Sequence, residues 1–200
     1  MIGEPPAAAL GGGPRWAARL LGRGGIALAG LWGFAEGTLF FVVPDVLLAL
    51  AALGGGRRAL PHVAAAVGGA LLAGAVMVFW AAADYPAASG AVRNVPFVRE
   101  AMFARVDEGL ESEGPLALFR GSVTGVPYKI YAVEAPGRMA AGPFLAWTVP
   151  ARGARFLLAW ALFALLGGWL RRRSPGNRRL LAGVHAALWV PFYLFYWSVV

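Results

Sequence analysis

The chain has 200 residues, is 59% hydrophobic and 14% charged, and has a mean hydropathy of +0.63. A soluble domain is about 25% charged, so composition points to an integral membrane protein with no room for a separate soluble domain. The absence of cysteine excludes disulfide and thiolate chemistry, and two histidines are too few for a histidine-rich metal site. The net charge of +8 is gathered at the ends of apolar segments, where positively charged residues flank membrane spans, which argues against a nucleic-acid partner.

In chain order, residues 1–14 are rich in Pro, Gly and Ala and read as a mobile tail, with no signal-peptide pattern. Residues 15–24 place Arg15, Arg19 and Arg23 opposite Trp16, Leu20 and Leu21, the pattern of an amphipathic interfacial helix. Residues 25–56 are apolar apart from Glu36 and Asp45, and Pro44 breaks a continuous helix there. Residues 60–83 are uncharged and long enough to span the hydrocarbon. Asp84-Tyr85-Pro86 opens a loop. An amphipathic surface helix then runs to Glu113, with Phe97, Met102 (or Ala101), Val106 and Leu110 on its apolar face. Residues 115–136 form a second interrupted segment and 137–150 a short helix or bend. Arg152 and Arg155 precede an apolar span to Leu170. Arg171, Arg172, Arg173, Arg178 and Arg179 flank a turn, and 180–200 is a last span with an aromatic end.

The two interrupted segments share a pattern. Glu36-Gly37-Thr38 leads to Pro44-Asp45, and Arg120-Gly121 leads through Thr124-Gly125 and Pro127 to Lys129. Each carries two charges nine positions apart, acidic in the first segment and basic in the second. Ionisable groups in membrane-length apolar segments are costly and usually face a cavity or a partner. Paired broken segments in two halves of a chain point to a site made from discontinuous elements. Glu36 and Asp45 are the candidate proton- or cation-responsive pair, and the alternative role is an interhelical ion pair that only fixes the hairpins. Arg120, Lys129 and Arg138 are candidates for holding a phosphate, by a bidentate fork or a point charge. The alternative for Lys129 is snorkelling to the interface, and for Arg138 a place at a helix end. Pro44, Gly125 and Pro127 are read as hairpin-turn residues. Arg outnumbers Lys seventeen to one, so the single Lys129 suggests a place that suits a compact ammonium. Gly121-Ser122-Val123-Thr124-Gly125 is not a nucleophile elbow and no base accompanies it, so no enzyme activity and no cofactor are expected.

Charge distribution sets the topology. If residues 25–56 crossed the membrane, the Arg15/Arg19/Arg23 and Arg57/Arg58 clusters would lie on opposite sides, against the positive-inside bias. If 25–56 and 115–136 each enter and return, every basic cluster falls on the cytoplasmic face. The hairpins then enter from opposite sides. Non-helical backbone at membrane depth must be buried in protein or line water, so they should face each other.

These residues resemble the DedA superfamily of membrane proteins, and most closely its compact YqaA-like branch. The matches are Glu36, Gly37, Pro44 and Asp45, then Gly125, Pro127, Lys129, Gly137, Arg138, Met139 and Phe144. They cover roughly residues 20–170. The family's basic motif is close to G-R-F-x-P-G-x-R. Here Arg120 precedes the glycine and Lys129 lies further along.

The resemblance implies an all-α polytopic membrane protein with two opposed re-entrant helical hairpins, as an inverted repeat, and about three full transmembrane helices. A membrane transport domain would occupy 25–170, with hairpins at 25–56 and 115–136. Residues 171–200 would hold a basic cytoplasmic loop and the last span. Several members move lipids, including carrier-lipid phosphates in bacteria and phospholipids in eukaryotic relatives. The family's acidic pair carries over to Glu36 and Asp45, and its basic pair falls near Arg120 and Lys129. The expected function is therefore transport or scrambling of a phosphate-bearing lipid in a bacterial inner membrane, coupled to protons or cations. Membrane lipids are the expected partner, and a homo-oligomer is open. The alternatives are a proton-coupled transporter of a small ion or solute, and a non-transporting assembly protein.

Overall fold

A computed structural model describes residues 20–199. The expected tail 1–14 and the first half of the interfacial helix 15–24 lie outside the described residues. Within them the chain is helical and contains no strand. The helices are α1 (Arg23–Thr38), α2 (Asp45–Gly55), α3 (Leu60–Ala83), α4 (Tyr85–Arg93), α5 (Glu100–Glu113), α6 (Ala117–Thr124), α7 (Tyr128–Glu134), α8 (Ala141–Arg173) and α9 (Arg178–Val199). Two stretches, Asp45–Ala83 and Ala141–Arg173, are long and apolar enough to cross a membrane. Only 17% of the most apolar window of α8 is buried. Leu158, Leu162 and Leu165 on α8 and Leu72 and Phe79 on α3 stand exposed. An apolar surface on that scale suits lipid better than water.

The first interrupted segment doubles back. α1 has 16 residues and α2 has 11. At about 1.5 Å per residue they are roughly 24 and 17 Å long, short of the ~30 Å hydrocarbon core. Leu21, just before α1, packs over Gly55 at the end of α2, so the two ends of the segment lie side by side. The Trp32 indole donates to the Val42 carbonyl at 2.9 Å, holding the reversal from inside. Pro44 stands immediately before α2, where its missing N–H costs nothing.

α1 runs parallel to the first half of α3. Gly30 lies against Ala65, Gly33 against Ala66 and Gly37 against Ala73. A Cβ at Gly33 would collide with the Ala66 backbone, so glycine sets how closely these two helices approach. Ala73 is the fourteenth of the 24 residues of α3. The chain break at 39–44 therefore lies beside the midpoint of α3.

The second interrupted segment reaches the same level from the other end. α6 ends at Gly125, whose φ of 77° is left-handed and favours glycine. Pro127 precedes α7 in extended conformation. The Tyr128 ring meets Gly74, again at the midpoint of α3. At the far end of α7, Glu134 accepts a 2.7 Å hydrogen bond from Tyr85, beyond the end of α3. The Tyr131 ring lies over Gly121, closing α6 against α7.

α8 runs antiparallel to α3. Leu145 lies near Gly74, and Gly167 and Arg171 meet Leu53 at the other end. The Arg57/Arg58 turn and Arg171 therefore share one end of the bundle.

Three expectations need correction. Tyr85–Arg93 is a helix rather than a loop: Asp84 caps it by accepting from the Ala87 N–H at 3.0 Å, and Pro86 sits in its first turn, where proline is tolerated. Residues 137–150 and the following apolar span are not separate, because α8 is continuous through Pro150, which sits on its exposed face. Phe97 lies before α5 with φ 69°, so it is not on that helix's apolar face; Phe103, Val106 and Leu110 are the buried residues.

Candidate functional site

The two chain breaks and α8 enclose a charged cluster. α1 buries Glu36 in its last turn, and α2 begins with the buried Asp45, so one reversal brings both carboxylates together. α8 buries the stripe Phe144, Thr148, Ala151, Arg152 and Phe156, spaced at three or four residues. Arg152 and Arg155 leave this face one turn apart.

The Arg152 guanidinium is ion-paired with Glu36, and both side chains are buried. Its carbon also stands 4.7 Å from the Phe156 ring centroid and 5.2 Å from that of Tyr128, within cation–π range. The Arg152 Nε is buried without a hydrogen-bond partner among the described residues. Arg155 forks onto Asp45, with Nη2 at 3.2 Å and Nε at 3.5 Å. Its Nη1 donates to the Ser122 carbonyl at 3.3 Å, one of the last carbonyls of α6, which lack helical partners.

Lys129 is 2% exposed, so it does not snorkel. Its ammonium donates to the Phe40 carbonyl at 3.0 Å, in the break of the first interrupted segment. Beside it, the Tyr128 hydroxyl and Thr148 Oγ1 lie 2.8 Å apart, and Tyr128 stacks on Phe144.

A cavity of about 330 Å³ opens onto this cluster. Glu36, Asp45, Lys129 and Arg155 form its charged end, with Gly125, Val126 and Pro127 from the second break. Its other walls are apolar and aromatic: Phe41 and Val43 from the first break, residues 95–98 before α5, and Trp189, Phe192, Tyr193 and Tyr196 from α9. The Val43 N–H donates to the Tyr193 hydroxyl at 3.2 Å, tying α9 to the first break. Phe41 and Tyr196 each stand 5.7 Å from the Phe97 ring, centroid to centroid, in edge contact.

The candidate residues divide. Glu36, Asp45 and Lys129 meet at the cavity, and Pro44, Gly125 and Pro127 lie at the chain breaks beside it. Arg120 and Arg138 are elsewhere. Arg120 is exposed and pairs with Glu113. Arg138 forks onto Asp107 at 2.7 and 2.6 Å, with Glu111 at 3.8 Å. Those hydrogen bonds hold the Asp107 carboxyl below its usual range. Arg152 and Arg155 take their place at the site. Their signal was a pair of arginines on the stripe of Phe144, Thr148 and Phe156, hidden by reading Pro150 as a helix end.

Among the described residues no group of three or more His, Asp or Glu is placed to hold a metal. The arrangement can bind an anion through Lys129 and Arg155 while holding its apolar part on aromatic rings. No protein-family model, curated protein or solved structure matches the chain.

Proposed function

We propose that this protein moves a phosphate-bearing lipid across a bacterial inner membrane. In this reading α1–α2 and α6–α7 are re-entrant hairpins entering from opposite faces. α3, α8 and α9 cross fully, and the arginine-rich end faces the cytoplasm. The headgroup passes through the charged cavity while the tails stay against the apolar surface.

The observation that carries the proposal is the cavity itself, charged at the meeting point of the two breaks and apolar along α9. Leu188 and Phe192 of that wall are half-exposed, so the α9 side of the cavity is apolar and open to contact with lipid tails. The chain resembles the DedA superfamily at Glu36, Asp45 and Lys129, and lipid movement is what that resemblance implies. The carboxylates make the coupling site for protons or cations, with Arg152 and Arg155 as the cations that replace a departing proton's charge.

A second reading is favoured by the volume. At about 330 Å³ the cavity lies at the small end of ligand sites and suits a small anion as well as a headgroup. One reconstitution separates the two. Fluorescent phospholipids in liposomes are quenched from outside with dithionite. Lipid transport predicts loss of well over half the signal with protein present, and about half without it. Equal quenching with and without protein overturns lipid transport. Uptake of a small anion in those same liposomes would then favour the second reading.

A further inference from the structure

We infer that Lys129 makes the cavity selective for headgroups carrying one net negative charge. This deepens the lipid reading and rests on it. The cluster contains three cations, Lys129, Arg152 and Arg155, and two carboxylates, Glu36 and Asp45. Each carboxylate already has its own arginine. Arginine does not give up its proton in a protein, so with both carboxylates ionised the two pairs are neutral units.

Lys129 is the remainder. It is buried, and its hydrogen bond goes to a backbone carbonyl, a neutral group. Among the described residues no carboxylate lies within 4 Å of it. Glu36 attracts it from across the cavity end but is itself ion-paired with Arg152. A buried charge with no ion pair of its own is costly, and a chain break at membrane depth offers no water-rich alternative. The cavity reaches Lys129, so a ligand can supply the missing charge.

One negative charge completes the cluster. A phosphodiester such as phosphatidylglycerol brings one. A zwitterion such as phosphatidylcholine brings its own cation into a site that already holds one too many. A phosphomonoester carries about −1.5 to −2 at neutral pH and overshoots. The predicted order is phosphodiester monoanion, then monoester, then zwitterion.

The test is competition between phosphatidylglycerol and phosphatidylcholine for the purified full chain, read as single-lipid adducts by native mass spectrometry. The wild type should favour phosphatidylglycerol by about tenfold. Lys129→Arg should keep the preference and Lys129→Met should bring it near unity. Equal adducts in the wild type, or an unchanged preference in Lys129→Met, would overturn the inference.

A second measurement needs no variant. Lys129 is the only lysine, so Nζ-labelled protein gives one ammonium signal. Bound phosphatidylglycerol should dephase that signal through ¹⁵N–³¹P coupling, and no dephasing counts against the site. Lipid transport fails separately. Headgroup preference without flipping would remove transport and leave Lys129 selectivity standing; flipping without preference does the reverse.

Discussion

The Lys129 ammonium donates to the Phe40 carbonyl, so the one lysine of the second broken segment caps the chain break of the first. A helix end leaves carbonyls without partners. In lipid each of these costs several kcal/mol. The Phe40 carbonyl, just past the end of α1, likewise has no helical partner, and a cation from the opposite segment satisfies it. Arg155 does the same for Ser122 while also holding Asp45. In the proposed topology, the groups that line the cavity are thus also the groups that make two non-helical breaks tolerable at depth.

Glu36 and Arg152 should be strongly coupled in stability. Glu36→Gln or Arg152→Met alone leaves a buried partner uncompensated, at a cost of about 3–5 kcal/mol. Replacing both by apolar residues of similar size should cost far less than the sum. Thermal unfolding in detergent of the two single variants and the double variant measures this. Additive losses would mean that the pair is not an energetic unit.

Asp45 and Arg155 should behave differently. Arg155 keeps 21% of its side chain exposed, against 3% for Arg152. Arg155→Lys keeps the charge but loses the fork onto Asp45 and the reach to Ser122. We expect a loss of about 1–2 kcal/mol in stability, from hydrogen bonds to charged groups, and a larger loss in lipid flipping. Equal melting with flipping intact would place Arg155 outside the site.

Tyr193 should set how easily α9 moves. Tyr193→Phe removes the acceptor for the Val43 N–H. A net hydrogen bond is worth about 1 kcal/mol, which is roughly fivefold in an equilibrium constant. If α9 opens to admit lipid, the flipping rate should rise by about that factor. An unchanged or lower rate would show that α9 is a fixed wall.

Arg138 and Asp107 lie outside the cavity and predict a pH effect without a transport effect. The folded-state pKa of Asp107 is depressed by its hydrogen bonds from Arg138. Its contribution is therefore full above the unfolded value, about 3.9, and is lost as pH falls through the lower folded value. Melting curves should show a small wild-type loss below about pH 4 that Asp107→Asn lacks. Flipping at neutral pH should match wild type in Arg138→Ala. A transport defect there would return Arg138 to the lipid path.

Much of this site was legible in the sequence, and the reason is physical. Charges within apolar runs have few places to go, so Glu36, Asp45 and Lys129 announced themselves. Pro44 and Gly125-Val126-Pro127 marked the breaks because proline and left-handed glycine punctuate helices. Arg152 and Arg155 were missed for the same reason in reverse. Pro150 reads locally as an end, yet its ring faces outward and the helix continues on packing along its buried side. Arg120 fitted the symmetry of spacing, but its position on α6 points to Glu113 instead. Sequence spacing gives the distance along a chain, not which side of a short helix a residue occupies. Helix α4 was read as a loop because Asp84 and Pro86 look like turn residues, although they also start helices.

The central claim is that both chain breaks sit at the middle of the bilayer and face each other. The chain has no cysteine, so single cysteines are unique labelling sites. Leu39 and Val123 are exposed and lie beside the two breaks, so both can carry a label. Leu39→Cys and Val123→Cys should be spin-labelled in protein reconstituted in liposomes. Relaxation by oxygen and by a water-soluble nickel complex then gives the depth of each label. We predict that both labels lie near the bilayer centre, with Ser174→Cys at the interface as a control. A label at Leu39 or Val123 that reads interfacial depth would contradict the hairpins and the lipid path built on them.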